Sequence, residues 1–434
     1  MAGPRVTLAI LVLLSALSQV DRGIIGLLVP AISRDLGVDD FQISLLQGAA
    51  FGLFYAVFGL PCGALADRWS RRWLIFWGVT VWSLAAAACG LAVSFNQLLV
   101  ARFFVGAGEA ALVPAALSLI SDIFPRQRLA GALAVFSIGS SLGAGVSLGL
   151  GGFIFDLLSK GPLSVPLIGA IHPWQGVFLI TGAPGVLLAF AIFVAPDPAR
   201  RSTGGVSVSW SALFGFLMQR RGFFARHFAG FSLMGILAYG CGGWVPVLLM
   251  RRHHFTAFEA GMSYGLVTTG GTIIGMLSLG AILDRLIRRG VTDAPLRVFV
   301  WLIPVGLAAT VTACLSPYPA VFLGCWLVTS VGVCLAGPAA TAIQFVTPPE
   351  MRGRTSALYI MIFNLVGFGV GPSLIGWLTV HVYRDPMAVN LSIATAYAIV
   401  APIAWIMFFG GLKPMREAMA LAEAPGSVAG RPAA

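Results

Sequence analysis

Apolar residues fill this chain in long blocks, and polar residues collect in the gaps between them. A helix needs about twenty mostly apolar residues to cross a bilayer. On that criterion the pattern predicts twelve membrane spans, at residues 6–31, 42–65, 73–94, 97–121, 129–153, 174–196, 223–250, 259–283, 297–316, 319–345, 355–380 and 389–411. The first block opens like a secretory signal, with Arg5, then "VTLAILVLL", then "SALSQ". Its apolar character resumes beyond Asp21 and Arg22 as far as Pro30, which makes it long enough to span.

Every second gap is basic. Twenty Lys and Arg residues fall on the side that holds the N-terminus and five (Arg34, Lys160, Arg251, Arg252, Arg384) on the other. By the positive-inside rule both termini are expected in the cytoplasm of a plasma (inner) membrane protein. The longest charged gap, 197–222, contains "PDPARRSTGG" and "QRRG" and divides the chain into two six-span bundles, 1–196 and 223–411. Within it, "WSALFGFLM" reads as a short interfacial helix or as the approach to span seven. Residues 412–434 are rich in Ala, Gly and Pro and are expected to form a disordered cytoplasmic tail.

Composition agrees with the pattern. The 434 residues are 58% hydrophobic and 10% charged, with a mean hydropathy of +0.92; soluble domains carry about 25% charged residues. The net charge of +11 does not signal nucleic-acid binding, because the basic residues lie in short loops without a continuous basic face. All six cysteines (Cys62, Cys89, Cys241, Cys314, Cys325, Cys334) lie in apolar runs without metal-ligand spacing. No nucleophile–base arrangement or phosphate-binding loop is present, so neither an enzyme nor a cofactor is implied.

Two segments repeat. "GALADRWSRR" at 63–72 and "GAILDRLIRR" at 280–289 share six identities in ten positions at an offset of 217, half the chain length, and each follows the second span of its half. Parallel repeats are one way transporters build two bundles that rock about a central site.

Four ionisable residues lie deep in spans, all in the first half: Asp21, Arg22, Arg102 and Glu109. Unpaired, they would cost roughly 10–14 kcal/mol on insertion scales. Two acids and two bases allow complete pairing. Arg102 and Glu109 share a helix face, whereas Asp21 and Arg22 diverge by about 100°. A dry surrounding favours a protonated carboxyl and a nearby guanidinium favours the carboxylate. A rocking motion would then load and unload a proton, with Glu109 as first carrier, Asp21 as second, and Arg22 and Arg102 facing an anionic substrate. The competing reading is a permanent ion cluster that fixes two spans together. In the second half Tyr239, Trp244, Gln344, Tyr359, Phe363 and Asn364 are candidate cavity groups, mostly apolar or aromatic. His227, His253 and His254 are placed at the interface or in loops.

The loop Gly63, Leu65, Asp67, Arg68, Arg71 and Arg72 meets the pattern Gly-x-Leu-x-Asp-Arg-x-x-Arg-Arg, and "RFFVGAGEA" carries Arg102, Gly106, Gly108 and Ala110. On these the chain resembles the major facilitator superfamily. "VDRGIIGLLVPAISRDLGVDDFQISLLQGAAFGLFYAVFGLPCGALADRWSRR" and "GAGEAALVPAALSLISDIFPRQR" are similar to its Spinster-type branch. That branch is linked with lysolipid and sphingoid-lipid transport, and the anion:cation symporters share the intramembrane Asp-Arg and the Glu. Ala144 follows Gly143 where drug antiporters of the superfamily usually carry Gly-Pro, a departure from that group.

The resemblance implies an all-α fold of two six-helix bundles, with spans one and four adjacent and Arg22 near Glu109. It also implies a cytoplasmic gate formed by Gly63, Asp67, Arg68, Arg71 and Arg72 with Asp284, Arg285 and Arg288. In this gate Asp67 and Asp284 are expected to accept hydrogen bonds at a helix N-terminus. The expected function is a secondary transporter working by alternating access, proton-coupled, carrying an organic anion or a lipid-like amphiphile. A small carboxylate:proton symporter is the alternative, and a non-transporting membrane scaffold or receptor the alternative of another class. The expected partners are substrate, protons and the bilayer, the expected state a monomer, and no metal or nucleic acid is called for.

Overall fold

The computed structural model describes residues 3–161, 163–165, 169–198 and 209–423. Among them twelve helices are long and apolar enough to cross a membrane: Pro4–Leu36, Asp40–Arg68, Arg71–Cys89, Phe95–Ile123, Gln127–Leu158, Pro173–Val194, Arg221–His253, Ala257–Arg288, Ala294–Leu315, Pro319–Val346, Pro349–Tyr383 and Pro386–Ala422. Each of the twelve expected spans corresponds to one of these. Most helices run several residues further at each end, because polar turns and caps continue the ladder past the apolar block.

Several spans are interrupted, for readable reasons. Span four breaks at Ala110–Ala111, between helices Phe95–Glu109 and Leu112–Ile123. Pro114, which has no N–H, stands four residues after Ala110 and leaves that carbonyl without its ladder partner. Span ten breaks over 333–335, with Pro338 in the same relation to Cys334. Span one breaks at Ile24, between Pro4–Gly23 and Ile25–Leu36. Span two contains a π-helical turn at Leu45–Ala49. Such irregular backbone at membrane depth exposes carbonyls that need partners.

The only strands among the described residues, Leu163–Val165 and Gly169–Ile171, form a small antiparallel hairpin between spans five and six. The linker contributes a helix at Trp210–Gln219, capped by Ser209. The last helix runs on to Glu423, so the part of the expected tail up to that residue is helical. Residues 424–434 and 199–208 lie outside the described residues.

Packing groups the residues into two compact units. The first comprises Met1–Arg201 with Tyr239–Thr269 and Phe368–Ile393; the second comprises Ser202–Ala238, Gly270–Gly367 and Ala394–Ala434. Inside the first unit, the ends of spans seven, eight and eleven distant from the chain termini pack directly on spans one, two and five. Glycines allow it. A Cβ on Gly48 would meet Phe368, one on Gly145 would meet Thr269, and one on Gly261 would meet the Leu148 backbone. At the same distal end Arg251 makes a two-pronged ion pair with Asp40 at 2.6 and 2.7 Å and donates to the Pro386 carbonyl at 2.8 Å. The second unit has its own core, in which Phe231, Phe299 and Phe408 form a ring cluster with centroids 4.9–5.2 Å apart.

Candidate functional site

The four deep ions of the first half meet at the interruptions of spans one and four. Arg22 lies two residues before the break at Ile24, and Glu109 is the last residue of its helix. The Arg22 Nε donates to Glu109 Oε2 at 2.5 Å, as the family resemblance implied. Glu109 has no exposed side-chain surface and Arg22 keeps 22% of its own.

Complete pairing, however, does not occur. Arg102 spends its donors on backbone: Nη1 on the Asp21 carbonyl at 2.9 Å and Nε on the Leu46 carbonyl at 3.4 Å. The first of these carbonyls lies in the last turn before the span-one break, and the second in the π-turn of span two. Both belong to stretches where the regular ladder lapses. The Asp21 carboxylate is buried at 1% exposure, and neither of its oxygens has a hydrogen-bond partner. Glu109 Oε1 is likewise unpartnered. The site therefore holds one tight ion pair, one cation that ties two backbone turns together, and one carboxyl without a hydrogen bond.

Aromatic rings surround the pair. The Arg22 guanidinium carbon lies 4.7 Å from the Tyr55 centroid and 4.9 Å from that of Phe51. Phe51 stacks on Tyr55 at 5.4 Å and meets Phe368 edge-on at 5.2 Å, and Tyr239 stacks on Phe368 at 3.7 Å. Phe51 and Phe368 are buried, while Tyr55 and Tyr239 keep partial exposure. Sequence reasoning named Tyr239 but missed Phe51, Tyr55 and Phe368. Phe51 and Tyr55 are four apart on one helix face, a signal that was available.

The other candidates separate. Trp244 is fully buried and donates its indole N–H to the Pro372 carbonyl at 3.0 Å, so it packs and presents no surface to a ligand. Tyr359, Phe363 and Asn364 lie in the second unit, where Tyr359 contacts Phe363 at 5.8 Å between centroids. Gln344 is exposed. His227 is fully buried, against the expectation of an interfacial place, with Nε2 at 3.1 Å from the Ala339 carbonyl and Phe223, Phe231 and Tyr359 around its ring.

The loop signature also divides. Arg71 is buried and joins Asp122, Asp197 and the Pro198 carbonyl, while Ser70 donates to Asp197 at 2.6 Å. Burial pushes the Asp197 carboxyl up, but the bonds from Ser70 and Arg71 outweigh it and hold the group below its usual range. Arg72 donates to the Ala195 carbonyl at 3.3 Å. Asp67 is exposed and caps nothing; Ser70 accepts the N-terminal bond of span three instead. Asp284, Arg285 and Arg288 are exposed as well. A Cβ on Gly63 would meet nothing within 4 Å.

The family model described as Major Facilitator Superfamily matches residues 11–292. An MFS-type efflux pump of Mycolicibacterium smegmatis is 29% identical over 402 residues, covering 87% of this chain and 85% of that protein. A 4-hydroxybenzoate transporter of Pseudomonas aeruginosa is 26% identical over 405 residues, covering 83% and 84%. A crystal structure of a bacterial homologue of the human lysosomal transporter Spinster, inward-facing and unoccupied, superposes with a TM-score of 0.82. It has 23% identity and the match covers 96% of this chain and 98% of that one, which establishes the shared fold.

Proposed function

The chain belongs to the major facilitator superfamily and is an integral membrane transporter, and from that premise we propose that it is a proton-coupled secondary transporter of an organic anion. The observation that carries this reading is the Arg22–Glu109 pair beside the unpartnered Asp21 carboxyl. A charge left without a counter-ion or hydrogen bond in a dry interior costs several kcal/mol. In the proposed cycle Asp21, whose carboxyl makes no hydrogen bond, carries the proton while Glu109 occupies Arg22. This inverts the order expected from sequence, in which Glu109 was the first carrier.

The cycle then needs only two exchanges. Wetting of the site lets Asp21 ionise, and protonation of Glu109 frees Arg22 for an anionic group of the substrate. Arg102 holds the two irregular backbone turns in place and acts as a positioning residue. We assign a gating role to Asp40–Arg251 and, on the loop pattern, to Asp67, Arg68, Asp284, Arg285 and Arg288. We place these last loops and both termini in the cytoplasm, on the charge distribution of the loops, and take the protein as a monomer. Similarity to an efflux pump favours export as a second reading of direction. Similarity to a 4-hydroxybenzoate transporter supports an organic acid as the cargo.

The test is reconstitution of the purified protein in liposomes under an imposed pH gradient. Glu109→Gln and Asp21→Asn are expected to abolish gradient-driven accumulation of an organic acid while leaving downhill exchange measurable. Accumulation unchanged in both variants would refute proton coupling through this site. The sign of the gradient that drives movement separates export from uptake.

A further inference from the structure

Resting on the organic-anion reading, we propose that the site selects aromatic carboxylates, with the carboxylate on Arg22 and the arene against Tyr55 and Tyr239. Two rings of span two, Phe51 and Tyr55, lie over the Arg22 guanidinium; Phe368 of span eleven packs edge-on against both, and Tyr239 of span seven stacks on Phe368. The two buried rings, Phe51 and Phe368, form the floor, and the two half-buried tyrosines carry the surface that remains open. Arg22 is the member of the four deep ions with side-chain surface left, since Asp21, Arg102 and Glu109 are each at 1% exposure.

Distance supplies the selectivity. The guanidinium carbon of Arg22 is already 4.7 Å from the Tyr55 centroid. An arene carboxylate joins its ring to its anionic group by one bond, so an acid seated on Arg22 brings that ring into stacking range of Tyr55. Guanidinium–carboxylate recognition is planar and two-pronged, and a flat acid keeps its carboxylate and arene nearly in one plane. Offset stacking then favours the aromatic acid over a saturated acid of equal charge by roughly three- to tenfold per ring engaged. A sugar acid brings hydroxyl groups to a wall whose polar atoms are two phenols, which is a poor match. A lysolipid brings an anionic head but no arene to stack.

The experiment uses the full chain in lipid nanodiscs and reads binding by calorimetry and thermal shift. The probes are benzoate and 4-hydroxybenzoate, hexanoate and gluconate as non-aromatic acids of equal charge, benzyl alcohol as the neutral arene, and lysophosphatidylglycerol. The expected result is binding of the two benzoates at least tenfold tighter than hexanoate or gluconate, with benzyl alcohol weaker still. Tyr55→Leu is expected to reduce that ratio three- to tenfold while hexanoate affinity stays within twofold. Tyr239→Leu reads the same ratio if Tyr55→Leu does not fold, and Tyr55→Phe is expected to keep it. Equal affinity for benzoate and hexanoate, or a ratio unmoved by loss of either tyrosine ring, would overturn aromatic selection while leaving the anion reading in place. Binding of lysophosphatidylglycerol alone would do the same in favour of an amphiphile. If no acid binds and Arg22→Gln changes nothing, the anion reading falls with it.

Discussion

At the start of its third span the first half buries a cation between two carboxylates; at the start of its ninth the second half buries a carboxylate between two cations. Arg71 reaches Asp122 at the end of span four and Asp197 just past span six. Asp293, with 1% side-chain exposure, takes Arg297 at 2.8 Å and Arg416, on the helix that continues span twelve, at 2.9 Å. In each half the clamp ties the beginning of the third span to the chain beyond the sixth. The charges are exchanged. The repeated decapeptide does not disclose this, because Arg288, the counterpart of Arg71, is exposed while Asp293 lies beyond the repeat. A similar loop sequence thus supports opposite solutions to one packing problem, and the acid in the second half also suits the positive end of its helix.

The comparison breaks most sharply at Arg71. Arg71→Ala removes the buried cation shared by Asp122 and Asp197 and leaves Asp197 with only Ser70 and the more distant Arg72, a loss of about 3 kcal/mol for a buried pair. Arg288→Ala removes an exposed side chain and is expected to change stability by less than about 0.5 kcal/mol. Thermal unfolding of both variants in the same detergent measures the difference. Equal shifts would mean that the two repeats play equal structural parts. Asp293→Asn comes next, at about 2–3 kcal/mol, because it weakens charge-assisted bonds from two guanidinia but leaves both free to reach water. Scattered shifts larger than that of Arg71→Ala would invert the ranking and show the second clamp to be the stronger.

How far the sequence discloses such features depends on which atoms carry them. Spans are legible because hydrocarbon burial is a property of side-chain composition over twenty residues, and all twelve appear where apolar blocks predict them. The Arg22–Glu109 contact is legible too, since a charge at that depth needs a partner and the family resemblance puts the two spans together. Arg102 is not. Its partners are main-chain carbonyls of Asp21 and Leu46, released by a helix break and a π-turn that leave no mark in a count of charges. Asp21 was accordingly expected to be paired, and its carboxyl makes no hydrogen bond. The distal pair Asp40–Arg251 escaped for another reason: Arg251 was counted only as a loop charge, although a basic residue on the side poor in them invites a specific explanation.

A gentler way to sharpen the contrast is pH. The Asp197 carboxyl titrates below its usual range in the folded protein, burial being outweighed by the bonds from Ser70 and Arg71. A depressed folded value means that its contribution is complete above the unfolded value, about 3.9, and is lost as pH falls through the folded one. The gap in melting temperature between the wild type and Asp197→Asn is therefore expected to be constant from pH 7 to about 5 and to close below about 4. A gap that stays open in acid would show that Asp197 acts through shape alone and would weaken the account of the first clamp as an electrostatic one.

The smallest expected effect on stability falls at the glycines that open the two repeats. A Cβ on Gly63 or on Gly280 would meet nothing within 4 Å, and both residues lie inside helices, Ala50–Arg68 and Ala257–Arg288. Alanine in an exposed helix interior gains up to about 1 kcal/mol over glycine, so both substitutions are expected to leave the melting temperature unchanged or slightly higher. Transport is where they part. Gly63 opens the copy that meets the whole loop pattern, and under the proposed gating role bulk added at that loop is expected to slow the cycle. Gly63→Ala is expected to slow initial uptake in liposomes several-fold, and Gly280→Ala less. An unchanged rate in Gly63→Ala would show that this loop keeps its open packing throughout the cycle. The contrast between the repeats would then rest on the two clamps, and the closing contact would have to be sought in the exposed arginines.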